Sequence, residues 1–283
     1  MKDKGFSLVE LMISLTLGLL ISGAIVQVMV SNQVTERLNR AVASVQENGR
    51  YFITRIRGDL MMTGFYDTLS PDLDRSVDII DEESFLQHRA VVLPGDFVNA
   101  PGLGAQQGAN GANDRLVVAF QASEDCRGAE FGYGGDEFFV VNEYYIDDEQ
   151  LKCRGYDGRV LRGLRSAPVG SDSDPVVLLD QIASFQLLYG IANNQDAGDF
   201  SARPIRYVAA DQLAAERLAD SAVVTIRIAV LLKGDGKIAL NNEPDFRLLT
   251  EEQQTPPGQH LFKQFETTIS LRNLKNQLRS RKI

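Results

Sequence analysis

The sequence predicts an α+β protein in which one long N-terminal helix packs on a mostly antiparallel β-sheet domain. An uncharged apolar run near the N-terminus, apolar residues at helical spacing after it, and later runs rich in β-branched residues predict this fold. The 283 residues, 44% of them hydrophobic and 24% charged, can bury a core as one large domain or two small ones. This balance excludes a disordered or low-complexity chain.

Charge and composition narrow the classes of function. The chain has 29 Lys and Arg against 38 Asp and Glu, a formal net charge of -9, so we expect no general affinity for nucleic acid. Two His and two Cys offer few metal ligands and few catalytic bases. His88 and His260 are far apart in sequence, and no Ser lies in a Gly-x-Ser-x-Gly motif. We therefore expect no metal site and no catalytic residues, and a chain that is not an enzyme.

The apolar run Leu11–Thr35 contains 25 residues without a formal charge, enough to cross a bilayer core of about 30 Å as a helix. Lys2 and Lys4 precede it, which predicts a cytoplasmic N-terminus and a body on the other side of the inner membrane. A cleaved secretory signal has a shorter apolar region and a small-residue cleavage site. The run is longer and lacks such a site, so we expect a retained single-pass anchor.

Glu10 lies directly before this run, with the apolar residues Phe6, Leu8 and Val9 on its other side. A carboxylate at the centre of a spanning helix costs about 2.5–3.5 kcal/mol on insertion scales. One interpretation is that Glu10 lies near the interface and reaches water. The other is that its charge is needed for a positive partner once the segment leaves the lipid.

The string KGFSLVELMISL, which contains this carboxylate, resembles a class III signal, the leader of type IV pilins and type II secretion pseudopilins. The resemblance implies a pilin-like fold, cleavage between Gly5 and Phe6 by a membrane prepilin peptidase, and N-methylation of the new Phe6 terminus. Cleavage would expose a cationic amine about one helical turn from Glu10. Paired ions are tolerable in an apolar setting where isolated ions are not. We therefore expect Glu10 to help move the subunit from the bilayer into a bundle of like helices.

The helix is predicted to continue beyond the membrane, from Phe6 to about Thr63, with Gly64 as its stop. Its second half carries an apolar stripe at intervals of three, four or seven residues: Val34, Leu38, Val42, Val45, Phe52, Ile56 and Leu60. The predicted organisation is a leader at 1–5, a transmembrane half at 6–35, an amphipathic half at 36–64, and a periplasmic β-rich domain at 65–283.

Strands are predicted from β-branched and alternating runs in the body. The candidates are Arg89–Leu93, Arg115–Phe120, Glu137–Ile146, Gln150–Arg154, Val176–Leu179, Phe185–Tyr189, Val223–Leu232 and Phe262–Leu271. Asp211–Leu218 is predicted as a short surface helix. Stretches rich in Gly, Asn and Pro at 94–114, 168–175, 190–204 and 241–259 are predicted loops. Neither the number nor the order of the strands follows from these patterns.

Segments of the body are similar to the W-type minor pilins (PilW family): GRYFITRIRGDLMMTGFYD, LLDQIASFQLLYGI, VVTIRIAVLL and FETTISLRN, which ends at Arg272–Asn273. This resemblance implies a non-catalytic subunit that helps to initiate pilus assembly with other minor pilins and the major pilin, supporting twitching motility and adhesion. It also implies a place at the fibre tip, where minor pilins can carry an adhesin. Two alternatives stay open, a J-type minor pseudopilin of type II secretion and a single-span periplasmic receptor or enzyme.

Cys126 and Cys153 lie in the part of the chain predicted to be outside the cytoplasm, where an even pair forms a disulfide. The alternative, a metal site, lacks a nearby His or further Cys. The sequence GDGK at 234–237 contains part of a calcium loop without the EF-hand spacing, so we expect no cofactor, with calcium left open. The basic tail with Lys275, Arg279, Arg281 and Lys282 could touch DNA or an acidic neighbour, or be a solvated end.

Overall fold

A single helix of 55 residues, α1 (Leu8–Met62), organises the structure, a computed structural model that describes residues 7–168, 174–192, 202–219, 221–238 and 244–275. At 1.5 Å per residue α1 is about 83 Å long. It ends where the sequence predicts. Thr63 has non-helical backbone angles, and Gly64 adopts a left-handed φ of 74° that few other residues tolerate. The Gly64 N–H then donates to the carbonyl of Ala119, which leads the chain into the body.

Eight strands form two antiparallel four-stranded sheets within the described residues. In sheet 1 the order is β1-β2-β3-β4, and in sheet 2 it is β6-β5-β7-β8. The strands are β1 Leu116–Ala122, β2 Phe138–Asp147, β3 Gln150–Asp157, β4 Val176–Leu179, β5 Ile182–Ala192, β6 Arg206–Val208, β7 Ala222–Lys233 and β8 Phe262–Ser270. The short helix α2 (Ile79–Arg89) precedes β1, whereas α3 (Gly158–Leu161) and α4 (Leu213–Leu218) follow β3 and β6.

The C-terminal half of α1 packs against both sheets. Its buried residues recur every three or four positions: Ala41, Val45, Gly49, Phe52, Ile56 and Leu60. The Phe52 ring meets that of Phe185 on β5 edge to face, with 6.1 Å between the ring centroids. The predicted stripe is therefore confirmed from Val45 onward. Its first residues, Val34 and Leu38, are 57% and 38% exposed because the body covers the helix only from Ala41.

Strand β1 of sheet 1 is buried on both faces because its residues alternate in orientation and face two cores. In β1, Leu116 and Val118 face the core shared with α1, whereas Val117 and Ala119 face a second core that contains Leu86 of α2. This arrangement explains why the strand is apolar throughout instead of alternating.

The predicted strand Arg89–Leu93 is wrong. Residues Ile79–Arg89 form α2, for which Asp78 is an N-cap whose carboxylate accepts from the backbone of Ile80 and Asp81. In the predicted segment, Val91 alone makes a β-bridge, to Val118 of β1. The Asp78 cap and the apolar residues at helical spacing after it are typical of a helix at 79–89. The two β-branched residues before Leu93 lie beside β1, where the Val92 N–H donates to the Val117 carbonyl.

The remaining elements agree with the sequence in kind and differ in length. Strand β5 runs to Ala192, three residues into the predicted loop at 190–204, because it pairs with β7 along its whole length. The predicted helix at Asp211–Leu218 consists of a 3-10 turn, Ala210–Gln212, followed by α4. Residues 169–173 of the predicted loop at 168–175 lie outside the described residues.

A short strap before β1 joins the two sheets through Asp114. Its carboxylate accepts hydrogen bonds from the backbone N–H of Gly108 (2.8 Å) and of Leu187 on β5 (2.7 Å). Burial raises the pKa of Asp114 to about 6, although these two hydrogen bonds act in the opposite direction and the carboxylates of Glu251 and Asp211 add to the rise. Ionising this side chain therefore costs folding free energy.

Candidate functional site in the N-terminal helix

The first half of α1 has no cover from the rest of the chain. Every residue from 8 to 40 is exposed, and the apolar part of this segment is long and apolar enough to cross a membrane. A large apolar side chain left in water forgoes about 1.5–3 kcal/mol of burial free energy. The segment therefore requires lipid or other protein around it, and it is the candidate functional site.

Three hydroxyl side chains inside this apolar segment form hydrogen bonds within the helix itself. The Ser14 hydroxyl donates to the carbonyl of Glu10 (2.8 Å), and that of Thr16 donates to the carbonyl of Ile13 (2.9 Å). At the other end, Thr35 donates to the carbonyl of Ser31 (3.0 Å). A hydroxyl bonded in this way needs no water, so the segment can enter an apolar environment at low cost.

Glu10 occupies the first turn of α1 as part of a capping box with Ser7. The Ser7 backbone N–H donates to Glu10 Oε2 (3.2 Å), and the Glu10 backbone N–H donates to Ser7 Oγ (3.2 Å). No described residue donates to the second carboxylate oxygen, Oε1. The carboxylate thus stabilises the positive end of the helix dipole and keeps one oxygen for another cation. The sequence analysis did not identify Ser7 as a helix cap. The S-x-x-E spacing of Ser7 and Glu10 is the sequence signal that could have identified it.

The predicted processing site, Gly5 and Phe6, lies outside the described residues. Pairing between the Phe6 amine and Glu10 therefore stays a prediction. The structure places Glu10 at the start of the helix, which is where that pairing requires it.

The opposite end of α1 is fixed to the body by Asn273, three residues after β8. Asn273 Nδ2 donates to the carbonyl oxygens of Met61 (3.1 Å), Met62 (3.3 Å) and Thr63 (3.2 Å), which have no partner within the helix. The Met62 carbonyl also accepts from the Phe65 N–H (2.8 Å). The sequence identified Asn273 only as part of the ending of the last strand. Its contact with α1 joins residues more than 200 positions apart, which no local pattern reveals.

The predicted disulfide joins Cys126 and Cys153, whose Cα atoms are 6.4 Å apart. It lies in the core against α1, and Arg55 of the helix donates to the Cys126 carbonyl (3.0 Å). Nearby, Tyr144 of β2 donates to Asp59 of α1 (2.5 Å). Burial raises the pKa of Asp59, against the opposing effects of Tyr144 and Arg55. These contacts attach α1 to sheet 1.

The other candidate sites do not assemble in the described residues. No three or more His, Cys, Asp or Glu side chains come together there in a way that could hold a metal ion. Asp235, in the GDGK segment, accepts a hydrogen bond from Gln181. Of the basic tail, Lys275 is described, while Arg279, Arg281 and Lys282 lie outside the described residues. The absence of a cofactor and the place of calcium stay predictions.

Comparison with known proteins gives the class of protein that this helix and body define. Residues 1–26 match the family model of the prokaryotic N-terminal methylation motif. A solved type IV-like pilin from Thermus thermophilus is similar at 13% identity and a TM-score of 0.34, with 60% of this chain and 83% of that chain covered. No match is found among curated proteins. The N-terminal segment therefore carries the methylation motif of a prepilin leader.

The body resembles one family of pilus proteins. Residues 137–273, slightly less than half of the chain, match the family model of the type IV pilus-assembly protein W, from just before β2 to Asn273. The chain is thus similar to this PilW family of type IV pilin-like minor pilins over most of its body, and it carries a prepilin N-terminal motif. The resemblance to W-type minor pilins that the sequence shows is confirmed by this match, which indicates a structural subunit.

Proposed function

We propose that this chain is a minor pilin that is processed, held in the inner membrane and then inserted in low copy into a type IV pilus. The observation that carries the proposal is the uncovered segment of α1. Residues 8–40 are about 50 Å of helix, longer than a bilayer core of about 30 Å, and they continue without a break into the half that the body covers. A single continuous helix thus connects the apolar segment to the folded body.

Processing follows from the N-terminal motif. Prepilin peptidase cleaves between Gly5 and Phe6, the Phe6 amine is methylated, and Glu10 pairs with that amine in its own chain or a neighbour. The motif match over residues 1–26 supports this sequence of events, and so does the exposed Glu10 Oε1 at the helix start. Lys2 and Lys4 favour a cytoplasmic N-terminus. The Cys126–Cys153 disulfide fits a body in the oxidising periplasm.

The proposed role is to help initiate pilus assembly in a tip complex with other minor pilins, supporting twitching motility and adhesion. The partners are prepilin peptidase, the major pilin, other minor pilins, a tip adhesin and the inner membrane. The role uses no cofactor and no catalytic residue, and the acidic body disfavours nucleic acid as a partner. The match of residues 137–273 to the PilW family model supports this assignment over an unrelated single-span protein.

The test is mass spectrometry of the N-terminus in membrane and sheared-fibre fractions, together with twitching assays of a deletion strain. We expect an N-methylated Phe6 terminus in both fractions and loss of twitching. Glu10→Gln, which keeps the cleavage site, should still be cut but should be depleted from fibres. A chain that begins at Met1, or fibres that form and function normally without the protein, would contradict the proposal. A secretion defect with normal pili would assign the chain to a secretion pseudopilus instead.

A further inference from the structure

The last strand, β8, lies at one edge of sheet 2 and has a neighbouring strand only on the side of β7. It pairs with β7 over all of its nine residues, without a register shift. A strand at the edge of a sheet presents a row of backbone N–H and C=O groups to which another strand can bond. The cover over these groups decides whether β8 can accept a further strand.

Alternate residues of β8 turn their backbone groups away from β7. The Gly234 N–H donates to the Leu261 carbonyl (2.7 Å) just before the strand, and the Leu271 N–H donates to the Val224 carbonyl (2.9 Å) just after it. Because every second residue of an antiparallel pair bonds to the neighbouring strand, the odd-numbered residues of β8 bond to β7. The even-numbered residues point outward, and we call them the free edge: Phe262, Gln264, Glu266, Thr268 and Ser270. No hydrogen bond within the described residues uses a backbone group of the free edge.

The other sheet edges in the described part of the chain are covered or short. Along β1, Ala119 bonds to both Gly64 and Ala90 (2.9 Å each). Beyond β6, which has three residues, the edge of β5 is closed by the strap, where the Asp114 N–H donates to the Phe185 carbonyl (2.9 Å). Strand β4 has four residues. The free edge of β8 is thus the longest open edge that the structure describes.

One cation beside the free edge has no carboxylate partner among the described residues. Lys263 is exposed, and its ammonium group lies 5.3 Å from the centroid of the Phe265 ring. The acid of the strand, Glu266, is already paired with Arg227 of β7. Of the features that protect natural edge strands from pairing, β8 has this lysine but no proline and no bulge. An incoming strand therefore meets an unpaired positive charge and no unpaired negative charge.

We propose that the free edge of β8 binds an extended segment of another polypeptide as an additional strand of sheet 2, with a carboxylate of that segment beside Lys263. The five outward residues offer five N–H donors and five C=O acceptors in a row, a pattern that only an extended backbone matches along its length. The charge of Lys263 favours an acidic side chain next to it. This inference goes beyond the proposed function, because it gives the body a binding surface of its own.

A second copy of this chain does not fit as the donor of the added strand. Strand β8 runs in the same direction as α1, since Phe265 lies beside Gly49 and Asn273 reaches Met62. Two copies anchored in one membrane have parallel α1 helices and hence parallel β8 strands, which excludes antiparallel pairing. Parallel pairing in register would bring Lys263 close to its own counterpart, and like charges on neighbouring strands are destabilising. Only this step rests on the proposed function, which supplies the anchored topology.

The first experiment places a photo-crosslinking amino acid at Gln264 or at Thr268 of the full chain, expressed in its own cells, and maps the adducts by mass spectrometry. These positions are about 13 Å apart at about 3.3 Å per residue. A partner strand should therefore be crosslinked at two sites four residues apart, whereas a partner helix would give sites about nine residues apart. Val98, which is 81% exposed elsewhere on the body, is the control position and should not capture this segment. No adduct, adducts only to lipid or to a second copy, or the helical spacing would overturn the proposal.

The second experiment removes one outward donor. Thr268→Pro loses an N–H that faces away from β7, so the urea midpoint of the purified full chain should stay nearly unchanged. The adduct at Gln264 should fall about tenfold, as expected for the loss of one backbone hydrogen bond and of local fit. Thr268→Val, which keeps the N–H, is the matched control and should give the wild-type adduct. A folded Thr268→Pro chain with an undiminished adduct would rule out strand addition.

The third experiment leaves the backbone intact and tests the charge. Lys263→Glu should lower the Gln264 adduct about threefold, because it opposes the carboxylate of the partner. Lys152→Glu makes the same change of charge on β3, where Lys152 pairs with Asp147, and should leave the adduct unchanged. An equal effect of the two reversals would mean that net charge alone matters, and it would overturn the placement of a carboxylate beside Lys263.

These experiments distinguish this inference from the proposed function. If the wild-type chain is absent from fibres, the proposed function fails, while adducts from the membrane pool still test the free edge. If the chain is present in fibres and neither Gln264 nor Thr268 captures an extended segment in either pool, this inference fails and the proposed function stands.

Discussion

Gly49 and Gly58 lie nine residues apart on α1, and we expect their substitution by alanine to change stability in opposite directions. Alanine is favoured over glycine in a helix interior by about 1 kcal/mol. At Gly58 nothing opposes this gain, because no atom lies within 4 Å of the added methyl group. Gly58→Ala should therefore raise the free energy of unfolding by about 1 kcal/mol.

At Gly49 the same methyl group meets the body. Its carbon would lie 2.3 Å from Cζ and 2.5 Å from Cε1 and Cε2 of Phe265, so the ring must swing away or α1 must move off β8. Overpacking of this kind costs about 1–3 kcal/mol. After the gain in helix propensity, Gly49→Ala should lower the free energy of unfolding by about 1 kcal/mol, which leaves about 2 kcal/mol between the two variants.

The measurement is equilibrium urea unfolding of the full chain in detergent. Tyrosine fluorescence and near-ultraviolet circular dichroism report on the body, because the chain has 8 Tyr and no Trp. Because both variants lie on the same helix, the effects of detergent and of the uncovered half of α1 cancel when their free energies of unfolding are compared. Equal shifts in the same direction, or stabilisation by Gly49→Ala, would refute the packing of α1 on β8 described above.

Three further changes test the body. Replacement of Cys126 and Cys153 by Ser should lower the free energy of unfolding by about 3–4 kcal/mol, since the disulfide closes a loop of 27 residues; urea midpoints measure this loss. Asn273→Ala should cost about 1 kcal/mol by leaving α1 carbonyls without a donor, whereas Arg272→Ala, at an exposed neighbour, should cost little in the same assay. For Asp114, a folded pKa of about 6 against an unfolded value near 3.8 gives stability that is fully present below pH 3.8 and is lost as pH rises through 6. Relative to Asp114→Asn, the wild type should lose up to about 3 kcal/mol between pH 4 and pH 7.

Each of these has a clear contrary result. Unchanged urea midpoints after removal of both thiols would mean that the disulfide closes a segment already held by its packing. Equal losses for the Asn273 and Arg272 variants would remove the capping role of Asn273. A stability difference between wild type and Asp114→Asn that is constant from pH 4 to pH 7 would contradict the raised pKa.

Local sequence patterns predicted much of the fold because the interactions that define these elements join residues close in sequence. The helix boundary at Thr63 followed from spacing and from Gly64, and strands such as β7 followed from runs of β-branched residues. The disulfide followed from compartment and cysteine number. The strand Arg89–Leu93 failed because α2 extends to Arg89 and, of the residues that follow, Val91 alone makes a β-bridge, to Val118.

Long-range pairing was not predictable in the same way. The division of the strands into two sheets depends on which edges meet, for example β5 between β6 and β7. The contact of Asn273 with the end of α1 and the bridge that Asp114 makes to β5 both join elements distant in sequence. The identity of a single residue does not indicate such a distant partner, because Asn and Asp are also common in solvent-exposed turns.

The apolar stripe of α1 shows where sequence and structure must be used together. Periodicity identifies a covered face and an outer face, but it does not show that cover begins at Ala41 and leaves Leu38 exposed. It also treats Gly49 and Gly58 alike. Only the structure shows that one glycine is required by Phe265 and the other by nothing in its own chain. The fold of this chain therefore accounts for the glycine on the covered face and not for the one on the outer face.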